Sequence, residues 1–398
     1  MECRICGNNI LPFMSFGKMP IANGFLKKKN FKNESFFNLS VSFSEKLSLL
    51  QLDDHPSPKK MFHAHYPFYT SSSNHMKMHF KKYSDWAKKK ILKKNKSKII
   101  EIGSNDGTFL KNFNQNQFDI LGFEPSKNVS DLAKINGINS LNRFFNRKNL
   151  SRCEKFIGKT DAIFGANVVC HIPNLAEFIK TADLLLNDNG KIIFEEPYLG
   201  SMYNKTSYDQ IYDEHIFIFS ITSIKKIFEL FDFELIDAIE QKTHGGSMRY
   251  VLQRKHSKVV NKKIRLMLEN EKKKLLDSIE GALRFKKNCE ISKERLLEKI
   301  HRIKKQKKQI CGYGATSKST TILNYCGIGP DLIDCIFDTT PDKIGKFSPG
   351  KHIPIIDHKY FKRKFYDYSF LFAWNHRKEI EKKENKYLKN GGKWITHI

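Results

Sequence analysis

Between residues 98 and 250 the chain alternates short apolar runs with longer amphipathic segments, and this alternation restricts the fold more than any other feature. The apolar runs read KIIEIG, DILGFE, DAIFGAN and KIIFEEP. Strands that alternate with helical segments are typical of βαβ units and a parallel sheet. A second zone of this kind begins at QICGYGATSKSTTILNY and continues through LIDCIFD and SFLFAWN. The sequence therefore predicts an α/β chain with two such units.

Chain length and breaks in composition divide the sequence into three parts. At roughly 100–200 residues per domain, 398 residues suggest two to three domains. A polar break at residues 53–58 ends a small N-terminal lobe, which we place at 1–60, and we place the first α/β domain at 61–255. Residues 261–309 have almost no Gly or Pro, which predicts one or two amphipathic helices. They lead into the second α/β domain, so the last part is a helical connector and C-terminal domain at 256–398.

The net charge of +28 has two interpretations. It would attract a polyanion such as nucleic acid or an anionic membrane surface. The basic residues are dispersed, however, and no helix-turn-helix, zinc-finger or RNA-recognition pattern accompanies them. We interpret the charge as that of a lysine-rich protein, whose field can also steer a small anionic substrate toward a cleft. We expect no nucleic-acid partner.

The sequence also argues against the membrane and secreted classes. No apolar run approaches the roughly 18–20 residues of a membrane span, and the start MECRICGNNI lacks a secretory signal pattern. Six of the eight cysteines are scattered without a framework spacing, which fits a reducing compartment. We therefore expect a cytoplasmic protein without disulfides or a membrane partner. The oligomeric state cannot be read from this sequence.

The stretch Ile99–Leu110 is the most informative local motif. An apolar strand runs into a Gly-x-x-x-Gly turn and then a helix, so the backbone can approach a ligand closely. The lysine of a phosphate-binding P-loop is missing. The residues expected to line this site are Glu101, Gly103, Ser104, Asp106 and Gly107.

About twenty residues later a second apolar strand ends in Glu124-Pro125. A carboxylate there can accept hydrogen bonds from two ribose hydroxyls. The glycine turn and the acids together resemble the doubly wound S-adenosylmethionine (SAM)-dependent methyltransferases; a nicotinamide site or an unliganded turn is the alternative. In enzymes of that kind the next strand end, here Asn167 to His171, borders the methionine part of the cofactor. For His171 a packed or capping role is equally compatible with the sequence.

The segment Tyr212-Asp213-Glu214-His215 places three chemically useful groups close together. Imidazole suits a base near neutral pH, a neighbouring carboxylate can fix its tautomer, and a phenol can stabilise an enolate oxygen. In a strand, adjacent side chains point to opposite faces, so the three groups can cooperate only if the segment is a loop.

Here the resemblance becomes more specific. Tyr-x-Glu-His followed by Phe-Ser is similar to the sugar C-methyltransferases that act on nucleotide-linked 4-keto-deoxysugars. The segments 61–73, 244–249, 312–318 and 391–393 resemble further motifs of that family in the same order. The resemblance implies a small N-terminal lobe, a central Rossmann-like SAM-methyltransferase domain and a second Rossmann-like C-terminal domain.

The resemblance also implies roles for single residues. His215 would remove the proton at C3, Glu214 would orient or tune it, and Tyr212 and Tyr66 would face the sugar. Tyr69 is the alternative to Tyr66 because the local alignment can slide. The substrate-binding positions that it suggests are Tyr69, His244, Arg249 and Lys318. Lys318 or Lys343 would neutralise the diphosphate, although the glycine turn at 312–318 is equally compatible with a purely architectural role.

That family carries an N-terminal zinc site of two Cys-x-x-Cys pairs. The first pair is present as Cys3 and Cys6, but the second, counted back from Leu49–Leu52, falls on Ser44 and Leu47. The histidines that might substitute, His55, His63 and His65, lack the spacing of a four-ligand site. We therefore predict no zinc, or a weakly held ion, and a lobe that depends on apolar residues. Those residues are Leu11, Phe13, Phe16, Phe25, Phe36 and Phe37.

Together these features predict an enzyme that takes SAM as cofactor and a nucleotide-diphosphate-linked 4-keto-deoxysugar as substrate, in surface polysaccharide or deoxysugar biosynthesis. Two alternatives remain at this point. One is a methyltransferase of the same fold that acts on a hydroxyl or amine. The other, more remote, is a nucleic-acid-binding protein.

Overall fold

A computed structural model describes residues 1–62, 66–92, 94–256 and 261–398. The N-terminal lobe is an antiparallel sheet of β1 (Pro12–Pro20), β2 (Phe36–Ser44) and β3 (Leu49–Leu52). A short helix, α1 (Pro58–Met61), follows. The free edge of β3 is not left open, because it pairs with a strand from the middle of the chain, described below.

The apolar residues expected to hold the lobe together are buried to different degrees, and Phe37 is partly buried against the core. Phe13, Phe16 and Phe25 are buried, as predicted. Leu11 is 81% exposed and Phe36 is 50% exposed, so the prediction is wrong for these two. Leu11 precedes β1 and Phe36 is the first residue of β2, where side chains lie at the margin of the sheet rather than beneath it.

The Cys3–Cys6 turn lies beside the two positions that the sequence count gave for the missing cysteines. The Cys6 thiol interacts with Cys3 and Ser44, and Cys3 and Leu47 belong to one apolar cluster. A serine and a leucine cannot complete a four-ligand zinc site. His63 and His65 lie outside the described residues. The donor set found here therefore does not fit a structural zinc ion.

The central domain is built on a mixed sheet. Its helices and strands, in chain order, are α2 (Asn74–Lys90), β4 (Ser97–Ile102), β5 (Phe118–Phe123), α3 (Lys127–Ile135), β6 (Ser140–Leu141), β7 (Thr160–Ala166), α4 (Leu175–Leu185), β8 (Leu186–Pro197), α5 (Leu199–Lys205), β9 (Phe217–Ile218), α6 (Ile221–Glu229), β10 (Phe233–Gln241) and β11 (Ser247–Arg254). Within the described residues the strand order is β10-β11-β8-β7-β4-β5-β6, and β9 joins the sheet of the lobe.

The order of the central strands indicates where this sheet would bind a ligand. β6, β5, β4, β7 and β8 are parallel, and only β11 and β10 run against their neighbours. The chain moves outward from β4 through β5 to β6 and then returns to place β7 on the other side of β4. In doubly wound sheets ligands bind beyond the carboxyl ends of the strands at this point of reversal. The doubly wound prediction is confirmed.

The C-terminal part begins with the two expected helices and ends in a parallel sheet. Its helices and strands are α7 (Lys262–Lys273), α8 (Ile279–Lys305), β12 (Ile310–Tyr313), α9 (Ser317–Tyr325), β13 (Ile336–Asp338), β14 (Ile355–Asp357), β15 (Tyr368–Leu371), α10 (Arg377–Lys383), α11 (Asn385–Lys389) and β16 (Lys393–Ile395). The described strands lie in the order β14-β13-β12-β15-β16 and reverse between β12 and β15. None of the helices described is both long and apolar enough to cross a membrane.

The N-terminal lobe and the C-terminal domain share one apolar core. Phe13 and Leu39 of the lobe pack with Phe285 and Ile300 of α8 and with Ile310 of β12 in a continuous cluster. The lobe is therefore bound on one side by β9 of the central domain and on another by α8. All three parts of the chain meet around the segment that contains β9.

A buried carboxylate attaches α7 to the central domain. Glu271 accepts hydrogen bonds from the backbone N–H groups of Ile221 and Thr222 at the start of α6, both at 2.8 Å, and from the hydroxyls of Thr222 and Tyr198. Helix N-termini have free N–H groups and favour negative charge. Glu271 therefore supplements the cap that Ser220 provides.

We expect Glu271→Ala to lower the free energy of unfolding by at least about 3 kcal/mol, because a hydrogen bond to a charged group contributes about 1.5–3 kcal/mol. Urea unfolding would measure this. Glu269→Ala is the matched control, since Glu269 lies on the same helix and is exposed. Equal stability of the two variants would contradict the role given to Glu271.

Candidate active site

The turn after β4 brings backbone, rather than side chains, to the ligand edge of the sheet. Gly103 and Gly107 have φ angles of +64° and +78°. A Cβ on Gly103 would lie 2.8 Å from Val168, and one on Gly107 would lie 2.7 Å from Ile138. Both positions therefore require glycine on conformational and steric grounds.

Two predicted cofactor acids lie together at this edge. Glu101, the next-to-last residue of β4, is buried, and one of its carboxylate oxygens has no hydrogen-bond partner among the described residues. Glu124 follows β5 and accepts hydrogen bonds from the backbone N–H groups of Asn105, at 3.0 Å, and Ser126, at 2.8 Å. Burial raises the pKa of Glu124 to about 7 despite these two donors. The unpaired oxygen of Glu101 indicates a missing polar ligand.

The remaining predicted cofactor residues lie in or next to the same turns. Ser104 and Asp106 are buried, and Asp106 accepts the backbone N–H of Ser71 at 2.8 Å. Pro125 is fixed through its carbonyl by the side chain of Asn142 at 2.8 Å. The segment before α2 thus covers the glycine turn, a contact that no local sequence pattern indicates.

At the end of β7, Asn167 and His171 face different neighbours. Asn167 has a positive φ of 55°, and its side-chain amide lies 3.0 Å from Nε2 of His244. The ring of His171 stacks on that of His215 at a centroid distance of 5.4 Å. Burial lowers the pKa of both His171 and His244 to about 3, so both rings are neutral at physiological pH. The ring of His171 therefore lies against His215.

Sequence reasoning missed Glu196, which holds this loop in place. One oxygen of its buried carboxylate accepts the backbone N–H groups of Val168, at 3.1 Å, and Val169, at 2.7 Å. Burial raises its pKa to about 7. The sequence signal was an acidic pair at the end of an otherwise apolar strand, IIFEEP.

The imidazole of His215 is oriented by two hydrogen bonds. Nδ1 lies 2.7 Å from the carbonyl oxygen of Gln210, and Nε2 lies 2.8 Å from the hydroxyl of Tyr212. Because a carbonyl can only accept, Nδ1 carries the hydrogen and Nε2 holds the free lone pair, which accepts from the phenol. Burial holds the pKa of His215 well below its usual range. The ring is thus an uncharged base with its lone pair at Nε2.

The expectation that Glu214 orients His215 does not agree with this geometry. The Glu214 carboxylate accepts hydrogen bonds from Asn23 of the N-terminal lobe, at 2.7 Å, and from the hydroxyl of Tyr66, at 3.3 Å. Residues 212–214 form a turn, so Glu214 and His215 point to different partners. The orienting group is the Gln210 carbonyl. Burial raises the pKa of Glu214 to about 7.

Of the two candidate tyrosines before α2, Tyr66 reaches Glu214. Tyr69 lies farther out, where its hydroxyl accepts from the side chain of Asn128 at 2.7 Å. A cavity of about 480 Å³ opens there between all three parts of the chain. Its lining includes Asn23, Phe25, Pro67, Tyr69, Lys343 and Lys346.

Lys318, at the start of α9, approaches the centre from the C-terminal domain. Its ammonium group is buried, has no hydrogen-bond partner among the residues described, and lies 5.0 Å from the ring centroid of Trp374. It is also close enough to His215 to depress the pKa of that ring further. The buried carboxylate of Asp209 interacts with this ammonium electrostatically but is not hydrogen-bonded to it. A buried ammonium without an acceptor can take up an anionic or strongly polar ligand.

The geometry does not support Arg249 as a substrate ligand. Its Nε donates to Glu195 at 2.8 Å within the central sheet, and its guanidinium carbon lies 3.8 Å from the ring centroid of Tyr83. Glu195 is also paired with His79 at 2.6 Å. Side chains along β11 alternate between the two faces of the sheet, and Arg249 points into this buried cluster. The His-Gly-Gly turn that precedes β11 lies at the site.

Replacing Arg249 by Met leaves Glu195 buried without its main partner. We expect a loss of about 3–5 kcal/mol in the free energy of unfolding, the usual cost of breaking a buried ion pair from one side. Thermal and urea unfolding would measure it. Lys81→Met removes the exposed pair with Asp85 and should change stability little. Wild-type stability of the Arg249 variant, with loss of activity alone, would favour the substrate role instead.

Three family models match the chain in order. Residues 3–62 match the "Putative zinc binding domain", residues 76–238 the "Methyltransferase domain", and residues 242–398 the "C-methyltransferase C-terminal domain". The C-methyltransferase NovU of Streptomyces niveus is 28% identical over 400 residues, covering 100% of this chain and 95% of NovU.

One similar solved structure is a SAM-dependent methyltransferase of Leishmania major. It is 15% identical, the match covers 46% of this chain and 75% of that chain, and the TM-score is 0.36. The magnesium protoporphyrin IX methyltransferase of Synechocystis PCC 6803 with bound SAH has 13% identity, 45% and 83% coverage, and a TM-score of 0.35. The chain is thus a SAM-dependent methyltransferase, and the order of the three models and the likeness to NovU along its whole length make it similar to the C-methyltransferases.

Proposed function

We propose that the methyl acceptor is a nucleotide-diphosphate-linked 4-keto-deoxysugar, methylated at the carbon beside the ketone, in deoxysugar or surface polysaccharide biosynthesis. The observation that carries this proposal is the fixed tautomer of His215, whose Nε2 lone pair meets the Tyr212 phenol in a buried site. C-methylation requires a carbon acid, and a ketone acidifies the neighbouring C–H bond. A neutral imidazole beside a phenol suits the removal of such a proton.

The side chains of the site divide the proposed reaction among them. Nε2 of His215 takes the proton from C3, while Nδ1 stays bonded to the Gln210 carbonyl. The Tyr212 hydroxyl, displaced from Nε2 by the substrate, can donate to the enolate oxygen, and Lys318 supplies positive charge nearby. SAM supplies the electrophilic methyl group, and the turn after β4 and Glu124 would hold it.

Glu214 and Tyr66 act at a greater distance in this proposal. Their mutual hydrogen bond, held by Asn23, fixes the wall of the site opposite His215. Holding both substrates in register lowers the barrier by about 7–11 kcal/mol at best. The Asn23 amide is thereby one of the contacts through which the N-terminal lobe contributes to positioning.

The cavity between the three parts fits the nucleotide portion of this substrate. Lys343 and Lys346 can neutralise a diphosphate. Phe25, Pro67 and Tyr69 offer flat or apolar surfaces on which a base can lie. These groups surround the outer end of the site, beyond Glu214 and His215.

His215→Gln should lower methyl transfer by about 10²–10⁴-fold, the usual contribution of a general base. The purified protein would be incubated with SAM and a panel of 4-keto-6-deoxy sugar nucleotides in heavy water. Product mass and deuterium at the sugar carbon would be measured. Wild-type protein should exchange that hydrogen, and the variant should not.

The matched control is His256→Gln, because His256 is exposed and outside the site. It should behave as wild type. Methylation of a hydroxyl or amine without carbon exchange would contradict the ketosugar proposal and support another acceptor for the same fold.

Cofactor binding should depend on pH through Glu124. Its raised pKa of about 7 means that the carboxylate, the form that accepts ribose hydroxyls, is lost as pH falls below 7. SAM affinity should therefore fall on acidification, approaching about tenfold per pH unit below that value. Calorimetric titration between about pH 8 and pH 5.5 would measure it.

Glu124→Gln is the control for this effect, because Glu196 and Glu214 also titrate near pH 7. The variant should bind SAM more weakly and with a much shallower pH dependence. An unchanged pH dependence in the variant would assign the effect to one of the other carboxyls.

A further inference from the structure

A group of potential metal ligands lies inside the site. The Cys170 thiol and one imidazole nitrogen each of His171 and His215 lie within 4.8 Å of one another. Among the residues that the structure describes, this is the one such group of three or more His, Cys, Asp or Glu side chains. Cys170 and His171 come from the turn after β7, and His215 comes from the turn before β9.

The lone pairs of this group are available for coordination. Nε2 of His171 is buried without a hydrogen-bond partner among the described residues. His215 uses its Nε2 lone pair only to accept from the Tyr212 phenol. The Cys170 thiol lies against the Glu196 carboxylate, which can take up the thiol proton when a metal–sulfur bond forms.

One thiolate and two imidazoles form a set of ligands that binds some metal ions much better than others. Zn²⁺ and related thiophilic ions favour sulfur and nitrogen ligands, whereas Mg²⁺ and Ca²⁺ favour oxygen. Three protein ligands leave a fourth tetrahedral position for water. An ion with bonds of about 2.0 Å to nitrogen and about 2.3 Å to sulfur would use the single Nε2 lone pair of His215, which then no longer accepts from the Tyr212 hydroxyl.

We propose that Cys170, His171 and His215 bind a thiophilic divalent cation, with Zn²⁺ as the probe, and that this binding inhibits the enzyme. The cation takes the Nε2 lone pair that His215 needs as a base. The thiol proton leaves to Glu196 or to solvent, so no oxidation or reduction is involved. Inhibition rests on the proposed role of His215, whereas cation binding does not.

The binding arm uses Co²⁺ as a spectroscopic substitute for Zn²⁺ on the purified full-length chain after chelator treatment. Wild-type protein should show a sulfur-to-cobalt charge-transfer band that Zn²⁺ removes by competition. Cys170→Ser should weaken Zn²⁺ binding by at least about 100-fold, since even outer-shell changes cost about 10–100-fold. Cys170→Ala gives a second variant, and thermal unfolding and SAM binding show whether each variant is folded.

Cys6→Ser is the matched control, because the Cys3–Cys6 pair is another place where thiols could hold the ion. It should keep the band. A band that persists in Cys170→Ser and disappears in Cys6→Ser would overturn the site.

The activity arm compares Zn²⁺ with Mg²⁺. Zn²⁺ should inhibit the wild-type protein reversibly, and Mg²⁺ should have no effect. Cys170→Ser, compared with its own activity in the absence of metal, should resist Zn²⁺. Full activity of the wild-type protein while Zn²⁺ fills the site from which it displaces Co²⁺ would overturn the proposed inhibition. If no ketosugar is methylated, the proposed function fails, and the cobalt band alone decides the metal site.

Discussion

The backbone between residues 211 and 218 is held by all three parts of the chain, and the site depends on this arrangement. Thr321 of the C-terminal domain donates to the carbonyl of Ile211 at 2.9 Å. Leu52 of the N-terminal lobe donates to the carbonyl of Ile216 at 2.8 Å, and Leu50 pairs with Ile218. His215 lies between these contacts. Its geometry is therefore a property of the assembled chain and not of the central domain alone.

Burial controls the charge state of the groups around this segment. It raises the pKa of Glu124, Glu196 and Glu214 to about 7 and lowers that of His171 and His244 to about 3. Acids and imidazoles thus move toward their neutral forms at physiological pH, as desolvation requires. Near pH 7 the two imidazoles are therefore neutral, while the three carboxyls are close to the midpoint of their titration.

Local patterns predicted the central strands and the glycine turn after β4 well, because an apolar run followed by glycine has few structural solutions. They failed where a partner is distant in sequence. Glu214 was assigned to its neighbour His215, but its partner Asn23 is 191 positions away. Arg249 was assigned by its motif to the substrate, but β11 turns it toward Glu195. Glu196 was missed because its role is to bind backbone N–H groups of another strand end.

The core shared by the N-terminal lobe, α8 and β12 has a consequence for how the chain folds during synthesis. The hydroxyl of Thr320 donates to the carbonyl of Ala22, a contact across 298 positions. Contacts of such separation carry a large loop-closure cost and slow folding. The lobe is made well before α8 and β12, which cover its apolar face. Its sheet must therefore wait, partly uncovered, until the central domain and α8 have been made, and exposed sheet edges in that interval favour aggregation.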